Sequence, residues 1–341
     1  MLESAAQISN KVKSYLLSNG FKPSSQLEIA GSAGSSRRYY RVTEAGKSLI
    51  VQTNEAANED FKNYVKFSSI LLGIGVKVPK IFYKDSAAAQ LVIEDFGKKS
   101  LFDEVAPCSD SRRASAFILY DHVIMELIKM QVASADVFGA HPEIARYRTF
   151  DYAALKWESQ YFIENYVQKY LGREEGLPDH VAGALSTLAC AVDMQPRVLM
   201  HRDFQSQNIM LMDDASVGFI DFQGLRRGSQ YYDLASLLWD PYVMLPFDMV
   251  EHFFRKWCKH YPGTSGYTDE ELWGSFLAAS LQRLMQALGA YCFLSQTKKI
   301  QKFEQYIEPG RARLVEVFKL YNEFSPSSNA VANKYLRELL S

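Results

Sequence analysis

The chain has 341 residues, 48% of them hydrophobic and 23% charged, which excludes a disordered or low-complexity protein and leaves room for about two domains with a real core. Its 38 basic and 39 acidic residues leave a net charge of −1, so nothing global points to nucleic acid or an anionic membrane as partner. The four cysteines, Cys108, Cys190, Cys258 and Cys292, lie 82, 68 and 34 residues apart, without metal-ligand or redox spacing, and no run approaches the roughly 20 apolar residues of a membrane span.

At the start, Ala5, Ile8, Val12, Tyr15 and Leu16 recur at helical spacing and Asn19-Gly20 closes the segment. The stretch is polar and periodic, without the apolar core of a signal peptide, so the chain reads as a soluble cytoplasmic protein. Residues 27–30 read as a strand, followed by the small-residue stretch Gly31-Ser-Ala-Gly-Ser-Ser36. Two further strands, 38–42 and 48–53, flank a turn at Ala45-Gly46, which makes this a glycine loop within an antiparallel hairpin. Phe61, Tyr64, Val65, Ile70 and Leu71 carry a helix ending near Gly73. Pro79 introduces an extended piece over 80–83, with 90–93 as its antiparallel partner.

From there the pattern changes to helices over 111–134, 152–170 and 179–192. Strand-like islands follow at 197–200, 209–212 and 217–220, and beyond Asp233 the chain is helical almost to its end, with a Ser/Pro/Asn patch at 325–329 between the last two helices. The expected class is α+β: a bilobal, protein-kinase-like arrangement with a cleft between the lobes. A small antiparallel N-lobe with one main helix spans 1–97, a hinge lies at Glu94-Asp-Phe-Gly97, and a larger, mostly helical C-lobe spans 98–341.

The chemistry concentrates in His201-Arg-Asp-Phe-Gln-Ser-Gln-Asn208, followed by Ile220-Asp-Phe-Gln223. This is the H-R-D-x-x-x-x-N catalytic-loop pattern with a D-F-G-like element downstream. Asp203 and Asn208 are five residues apart, and Asp221 lies 13 residues after Asn208, the length of a β-hairpin that brings the chain back to one site. Phosphoryl transfer needs a base or positioner at the attacking hydroxyl, for which Asp203 is suited. It also needs oxygen ligands for Mg²⁺: a carboxylate from Asp221, and an amide oxygen from Asn208 that adds no negative charge beside a triphosphate. His201 is expected to hold the loop rather than take a proton.

These residues resemble the aminoglycoside-phosphotransferase-like kinases, a branch of the protein-kinase-like fold, and within them the bacterial anomeric kinases of N-acetylmuramate and N-acetylglucosamine. The closer resemblance is carried by 201–210, by Ile220-Asp-Phe-Gln-Gly224, and by Tyr232-Asp-Leu-Ala-Ser-Leu-Leu238 with Asp240-Pro-Tyr242. Residues 35–42, Leu281-Gln-Arg283 and Leu288-Gly289 add to it. It implies ATP and Mg²⁺ as cofactors, Asp203 as catalytic base, Asn208 and Asp221 as metal ligands, and the backbone around Glu94 to Phe96 on the adenine edge. Asp233 would cap a helix and brace the catalytic loop. Gly31, Ser32, Gly34 and Ser35 would cover the phosphates, although the stretch reads G-x-x-G and not G-x-G-x-x-G.

One position departs from the pattern. In Leu49-Ile-Val-Gln52, Gln52 stands where kinases carry the lysine that meets the α- and β-phosphates. Arg37, Arg38 and Arg41 are the nearby cations that could replace it, and Glu55 or Glu59 is left without the usual lysine partner.

For the acceptor, residues 241–300 carry five acids and six Lys/Arg, a balance that offers no trap for a polycation and suits a neutral or carboxylate-bearing sugar. Gln205, Arg226 and Arg283 are the candidate sugar contacts, with Gln282 beside them, and Trp157, Trp239, Tyr242 and Tyr291 could stack on a sugar or simply fill the core. The leading expectation is an ATP-dependent kinase for the anomeric hydroxyl of N-acetylmuramate or N-acetylglucosamine in cell-wall sugar recycling. The alternatives are an aminoglycoside, choline or hydroxyl-amino-acid kinase of the same fold, or a nucleotide-binding protein without turnover. The sequence speaks for a small sugar as partner and leaves the oligomeric state open.

Overall fold

The computed structural model describes residues 2, 7–31, 37–214 and 216–324. They group into two compact units, Met1–Ser100 with Asn208–Gly224, and Leu101–Gln207 with Leu225–Ser341. Residues 208–224, which the sequence reading placed in the larger lobe, are thus grouped with the first hundred residues.

The smaller unit is built on an antiparallel sheet of five strands, β1 (Gln26–Gly31), β2 (Arg38–Glu44), β3 (Lys47–Thr53), β4 (Ile81–Asp85) and β5 (Gln90–Glu94), in the order β1-β2-β3-β5-β4. The β2–β3 turn has Ala45 at φ +47° and Gly46 at φ +80°, the two left-handed residues that a type I′ hairpin needs. Its register pairs Tyr39 with Gln52, and Gln52 in turn lies opposite Leu91. Because side chains alternate, Tyr40, Val42, Val51 and Val92 share one sheet face. Helix α1 (Asn10–Ser18) covers that face, burying Ile8, Val12, Leu16 and Phe21 against it. Gln52 belongs to the opposite face.

Helix α2 (Glu59–Gly73) begins where the Asn58 side chain accepts from the Phe61 amide at 3.1 Å, and Glu59 and Asp60 in its first turn complement the helix dipole. The last part of this unit is a short hairpin, two strands of three residues pairing Ile209 with Phe219 and Leu211 with Val217. The Leu211 amide donates to Lys99 O at 2.9 Å and the Phe219 amide to Lys77 O at 2.8 Å, so both strands are tied to the first hundred residues.

In the larger unit the helices are α3 (Leu101–Val105), α4 (Arg113–Val132), α5 (Ser134–Ala140), α6 (Pro142–Tyr147), α7 (Tyr152–Phe162), α8 (Asp179–Asp193), α9 (Tyr232–Leu238), α10 (Phe247–His260), α11 (Asp269–Cys292) and α12 (Ile307–Phe324). Helix α11 starts with a capping box in which Thr268 and Glu271 satisfy each other's backbone amides. It runs through the core, where Tyr232, Trp239, Trp257 and Phe276 are fully buried. Numbered in chain order, β6 (Arg197–Met200) pairs with β9 (Arg226–Ser229), and the hairpin strands are β7 (Ile209–Leu211) and β8 (Val217–Phe219). Strand β9 was not foreseen: Arg-Arg-Gly-Ser has no β-forming signature and is extended because β6 pairs with it. The helix expected over 152–170 relaxes into wider π turns at Ile163–Tyr170.

The four cysteines are free thiols, and no described helix is long and apolar enough to cross a membrane. The residues of the patch at 325–329 lie outside the described residues.

One close approach depends on a missing side chain. A Cβ on Gly218 would sit 2.4 Å from Cε2 and 2.8 Å from Cδ2 of the buried Phe96 ring. Gly218→Ala should therefore displace Phe96 and destabilise the protein by about 1–3 kcal/mol. Denaturant unfolding would show a lowered midpoint; an unchanged one would contradict this packing.

Candidate active site

Strand β6 leads into a loop held by three buried carboxylates of the larger unit. The amides of His201 and Arg202 donate to Asp233 Oδ2 and Oδ1 at 2.6 and 2.9 Å. Arg202 sits at φ +80°, an uncommon conformation for a residue with a side chain, and these two bonds brace it. Burial pushes the Asp233 carboxyl up to about 7, against the pull of the two amides. Asp240 repeats the device further along. Its Oδ2 accepts from the Ser206 amide at 2.8 Å and hydroxyl at 2.6 Å, and its Oδ1 from the Tyr242 amide at 2.9 Å. Between these anchors the Gln205 amide closes a turn on Asp203 O at 3.0 Å. The backbone of Asp203 is thereby fixed on both sides.

The third carboxylate is Glu158 on α7. Both of its oxygens accept from the Tyr232 hydroxyl, at 3.0 and 2.8 Å, and Arg202 Nη2 lies 3.9 Å away. Burial raises Glu158 to about 7, with Arg202 and Tyr232 opposing. From α11 the buried Arg283 donates to Ser236 Oγ at 3.0 Å, to Gln286, and to Gln205 Oε1 at 3.3 Å. Two of the three proposed sugar contacts, Gln205 and Arg283, are therefore bonded to each other. Arg226 stands over the Phe150 ring at 5.9 Å, with Arg202 over the same ring at 5.7 Å. Burial, then Arg202 and Arg148, lower its pKa.

In the smaller unit the hairpin sets the second group. With Ile209 opposite Phe219, and the Ile220 amide donating to Asn208 O at 3.0 Å, Asn208 lies across from Ile220 at the open end and Asp221 follows one residue further on. Asp221 is at φ +63°, a second strained position. Its Oδ1 accepts from Gln223 Nε2 at 2.8 Å and lies 3.0 Å from Arg37 Nη1. Phe222 packs on Tyr64 of α2 with ring centroids 4.6 Å apart.

On the same unit, Arg41 is locked to the 94–97 segment: it donates to both oxygens of Asp95, at 2.6 and 2.9 Å, and to Gly97 O at 2.7 Å. Glu28, Arg41, Ser48, Asp95 and Lys98 line an open cavity of about 670 Å³ there. Gln52 is fully buried, and its Oε1 has no hydrogen-bond partner among the described residues.

A family model for the phosphotransferase enzyme family matches residues 27–267. The chain belongs to that family. It is similar to the N-acetylmuramate/N-acetylglucosamine kinase of Pseudomonas aeruginosa, 29% identical over 88% of each chain, and to the Neisseria meningitidis protein of the same description, 26% identical over 88% of each. Among solved structures it resembles a choline/ethanolamine kinase family protein from Mesorhizobium loti, with a TM-score of 0.63 at 14% identity over 99% of this chain and 100% of that one. It also resembles a choline kinase from Streptococcus pneumoniae, with a TM-score of 0.59 at 15% identity over 92% and 98%. The α+β kinase-like fold expected from the sequence is thus found.

Of the residues that the motif singled out, Asp203 lies in the larger unit and Asn208 with Asp221 in the smaller. Two protein oxygens suit Mg²⁺, which keeps most of its positions for phosphate and water. Among the described residues no group of three or more His, Cys, Asp or Glu could hold a metal by itself. Gly31 ends β1, while Ser32, Gly34 and Ser35 lie outside the described residues. The Glu94 amide donates to Lys80 O at 2.9 Å. Gln282 ties α11 to Leu155 O at 2.7 Å, and Trp239, Tyr242 and Tyr291 are buried core rings.

Glu158 was not singled out in the sequence, although it shares the buried stripe of Leu155, Ser159 and Phe162 on α7, an unusual place for an acid. Its raised carboxyl has a consequence. Between pH 4.5, the ordinary value, and about 7, the folded protein keeps a proton that the unfolded chain has released. The stability contributed by this proton therefore falls as pH rises through that window, by roughly 3 kcal/mol. Relative to Glu158→Gln, the wild-type protein should lose stability from pH 4.5 to 7; parallel pH profiles for the two proteins would contradict the assignment.

Proposed function

We propose that this phosphotransferase moves the γ-phosphoryl group of ATP onto a hydroxyl of an N-acetylated amino sugar, the anomeric hydroxyl of N-acetylmuramate or N-acetylglucosamine. The observation that carries the reading is the pair of relatives of that description, each matched over 88% of its own length and of this chain. The near balance of charge over 241–300 supports it, since a polycationic acceptor would want an excess of carboxylates. In this reading the reaction belongs to cell-wall sugar recycling, and a donor such as ATP points to the cytoplasm as its place.

In this reading the smaller unit holds the nucleotide. The backbone around Glu94 to Phe96 is assigned to the adenine edge, the glycine stretch from Gly31 to the phosphates, and Asn208 and Asp221 to Mg²⁺. When bound, the metal supplies positive charge against the phosphate oxygens as the reaction proceeds. The larger unit holds the acceptor. Asp203 accepts the proton of the sugar hydroxyl while its oxygen forms the new bond to the γ-phosphorus, and the bond from that phosphorus to the β-bridging oxygen breaks to release ADP. An anomeric hydroxyl is more acidic than an ordinary alcohol, so positioning weighs more than proton removal in the demand on Asp203. The bracing of its backbone by Asp233 and Asp240 suits that task. Gln205, Arg226 and Arg283 are assigned to the acceptor side.

The test is ADP release measured over a panel of N-acetylmuramate, N-acetylglucosamine, plain hexoses, choline and an aminoglycoside. The two N-acetylated sugars should be turned over, and their products should lose the reducing-end reaction, because phosphorylation at C1 removes the free anomeric centre. Asp203→Ala should lower kcat by about 10²–10⁴ with nucleotide affinity retained. Unchanged turnover in that variant, or a product that is still a reducing sugar, would contradict the assignment.

A further inference from the structure

The kinase reading leaves a deficit of positive charge in the smaller unit. Gln52 occupies the strand position that would carry a cation for the phosphates, and it is buried and neutral. Three arginines lie nearby on the same chain segment. Arg38 is exposed. Arg41 is held by the two oxygens of Asp95, by Gly97 O, and by Glu28 Oε1 at 3.4 Å, a set that leaves it part of the wall of its cavity. Arg37 is different. It is buried, 8% exposed, it directly follows the glycine-rich stretch, and its Nη1 lies 3.0 Å from Oδ1 of Asp221.

That oxygen belongs to the carboxylate assigned to the metal. A hard cation held by that oxygen would bring a second positive charge beside the guanidinium, which could not keep its present place against the same oxygen without strong repulsion. Arg37 and the metal therefore compete for Asp221. A metal arriving with a nucleotide also brings phosphate oxygens, for which a guanidinium is a forked, permanently charged donor. The carboxylate lost by Arg37 is then replaced by another anion at the same place, at little cost in charge balance.

We propose that Arg37 is an exchangeable counter-ion, paired with Asp221 while no metal–nucleotide is bound and turned to a nucleotide phosphate when the metal takes the carboxylate. The inference rests on the kinase reading and adds to it a positioning residue in place of the strand lysine. It has two consequences of opposite sign. Metal without nucleotide binds weakly, because it must displace Arg37 and nothing receives the guanidinium. Metal and nucleotide together bind cooperatively, because one supplies the partner that the other displaces.

The experiment compares wild-type protein with Arg37→Met, which removes the charge but keeps much of the apolar volume. Free Mn²⁺ is followed by electron paramagnetic resonance without nucleotide, and the affinities for Mg²⁺–ADP and for AMP by calorimetry. The expected result is Mn²⁺ binding at least fivefold tighter and Mg²⁺–ADP binding at least fivefold weaker in Arg37→Met, with AMP affinity within twofold of wild type. Arg37→Lys should recover most of the Mg²⁺–ADP affinity. Should Arg37→Met fail to fold by circular dichroism, Arg37→Gln, which is polar but uncharged, carries the same comparison.

Mg²⁺–ADP affinity equal to wild type in the uncharged variant would overturn the inference. So would metal-alone and metal–nucleotide affinities that weaken in parallel, the mark of a merely structural ion pair. A wild-type protein that bound neither ADP nor ATP with Mg²⁺ would instead bring down the kinase reading itself, and the counter-ion role with it.

Discussion

The placement of Asn208 and Asp221 in the smaller unit depends on the antiparallel register of one very short hairpin. Three pairs, from Ile209–Phe219 to Leu211–Val217, set Asn208 across from Ile220, one residue before Asp221, and a slip of one residue would turn each side chain to the other face. So short a ribbon is not stable by itself. It is kept in register from outside by the amides of Leu211 and Phe219, bonded to Lys99 O and Lys77 O, and by Phe96 seated on Gly218. The left-handed backbone of Asp221 is tolerated because the Phe222 ring that follows is buried against Tyr64. The local strain and the long-range packing are parts of one arrangement.

The larger unit fixes the loop around Asp203 in another way, by burying carboxylates under backbone amides. Asp233 takes the amides of His201 and Arg202, and Asp240 takes Ser206 and Tyr242, so the loop around Asp203 is held at both ends by groups that would be costly to leave unpaired. Glu158 supplies the third buried acid, facing Tyr232 and Arg202. In the proposed reaction, an aspartate asked chiefly to hold a hydroxyl in line would benefit from such rigidity more than from a strongly basic group. The raised carboxyls of Asp233 and Glu158 show the electrostatic strain that comes with packing acids into this core.

How much of this was legible in the sequence follows the range of the forces involved. The 201–208 loop and the Asp221 element stand out in the sequence because the chemistry proposed for them needs fixed residue types at short, fixed spacing. The sheet strands and α2 were readable from their period. Strand β9 was not, because Arg226 to Ser229 becomes extended only through its pairing with β6. Glu158 was missed because its partners come from β6's loop and α9, far along the chain. Arg37 stood among three equivalent arginines until the structure locked Arg41 to Asp95 and set Arg37 against Asp221. The grouping of 208–224 with the first hundred residues likewise reflects tertiary hydrogen bonds that no local pattern announces.

The central claim is that the hairpin end formed by Asn208 and Asp221 is the metal site of a nucleotide-dependent phosphotransferase. Its most direct test is calorimetric titration of ADP, with and without Mg²⁺, into the wild-type protein, Asn208→Ala and Asp221→Ala. The account predicts that Mg²⁺ tightens ADP binding to the wild-type protein, and that this increment disappears in both variants while metal-free ADP still binds. A full magnesium increment in either variant would contradict it.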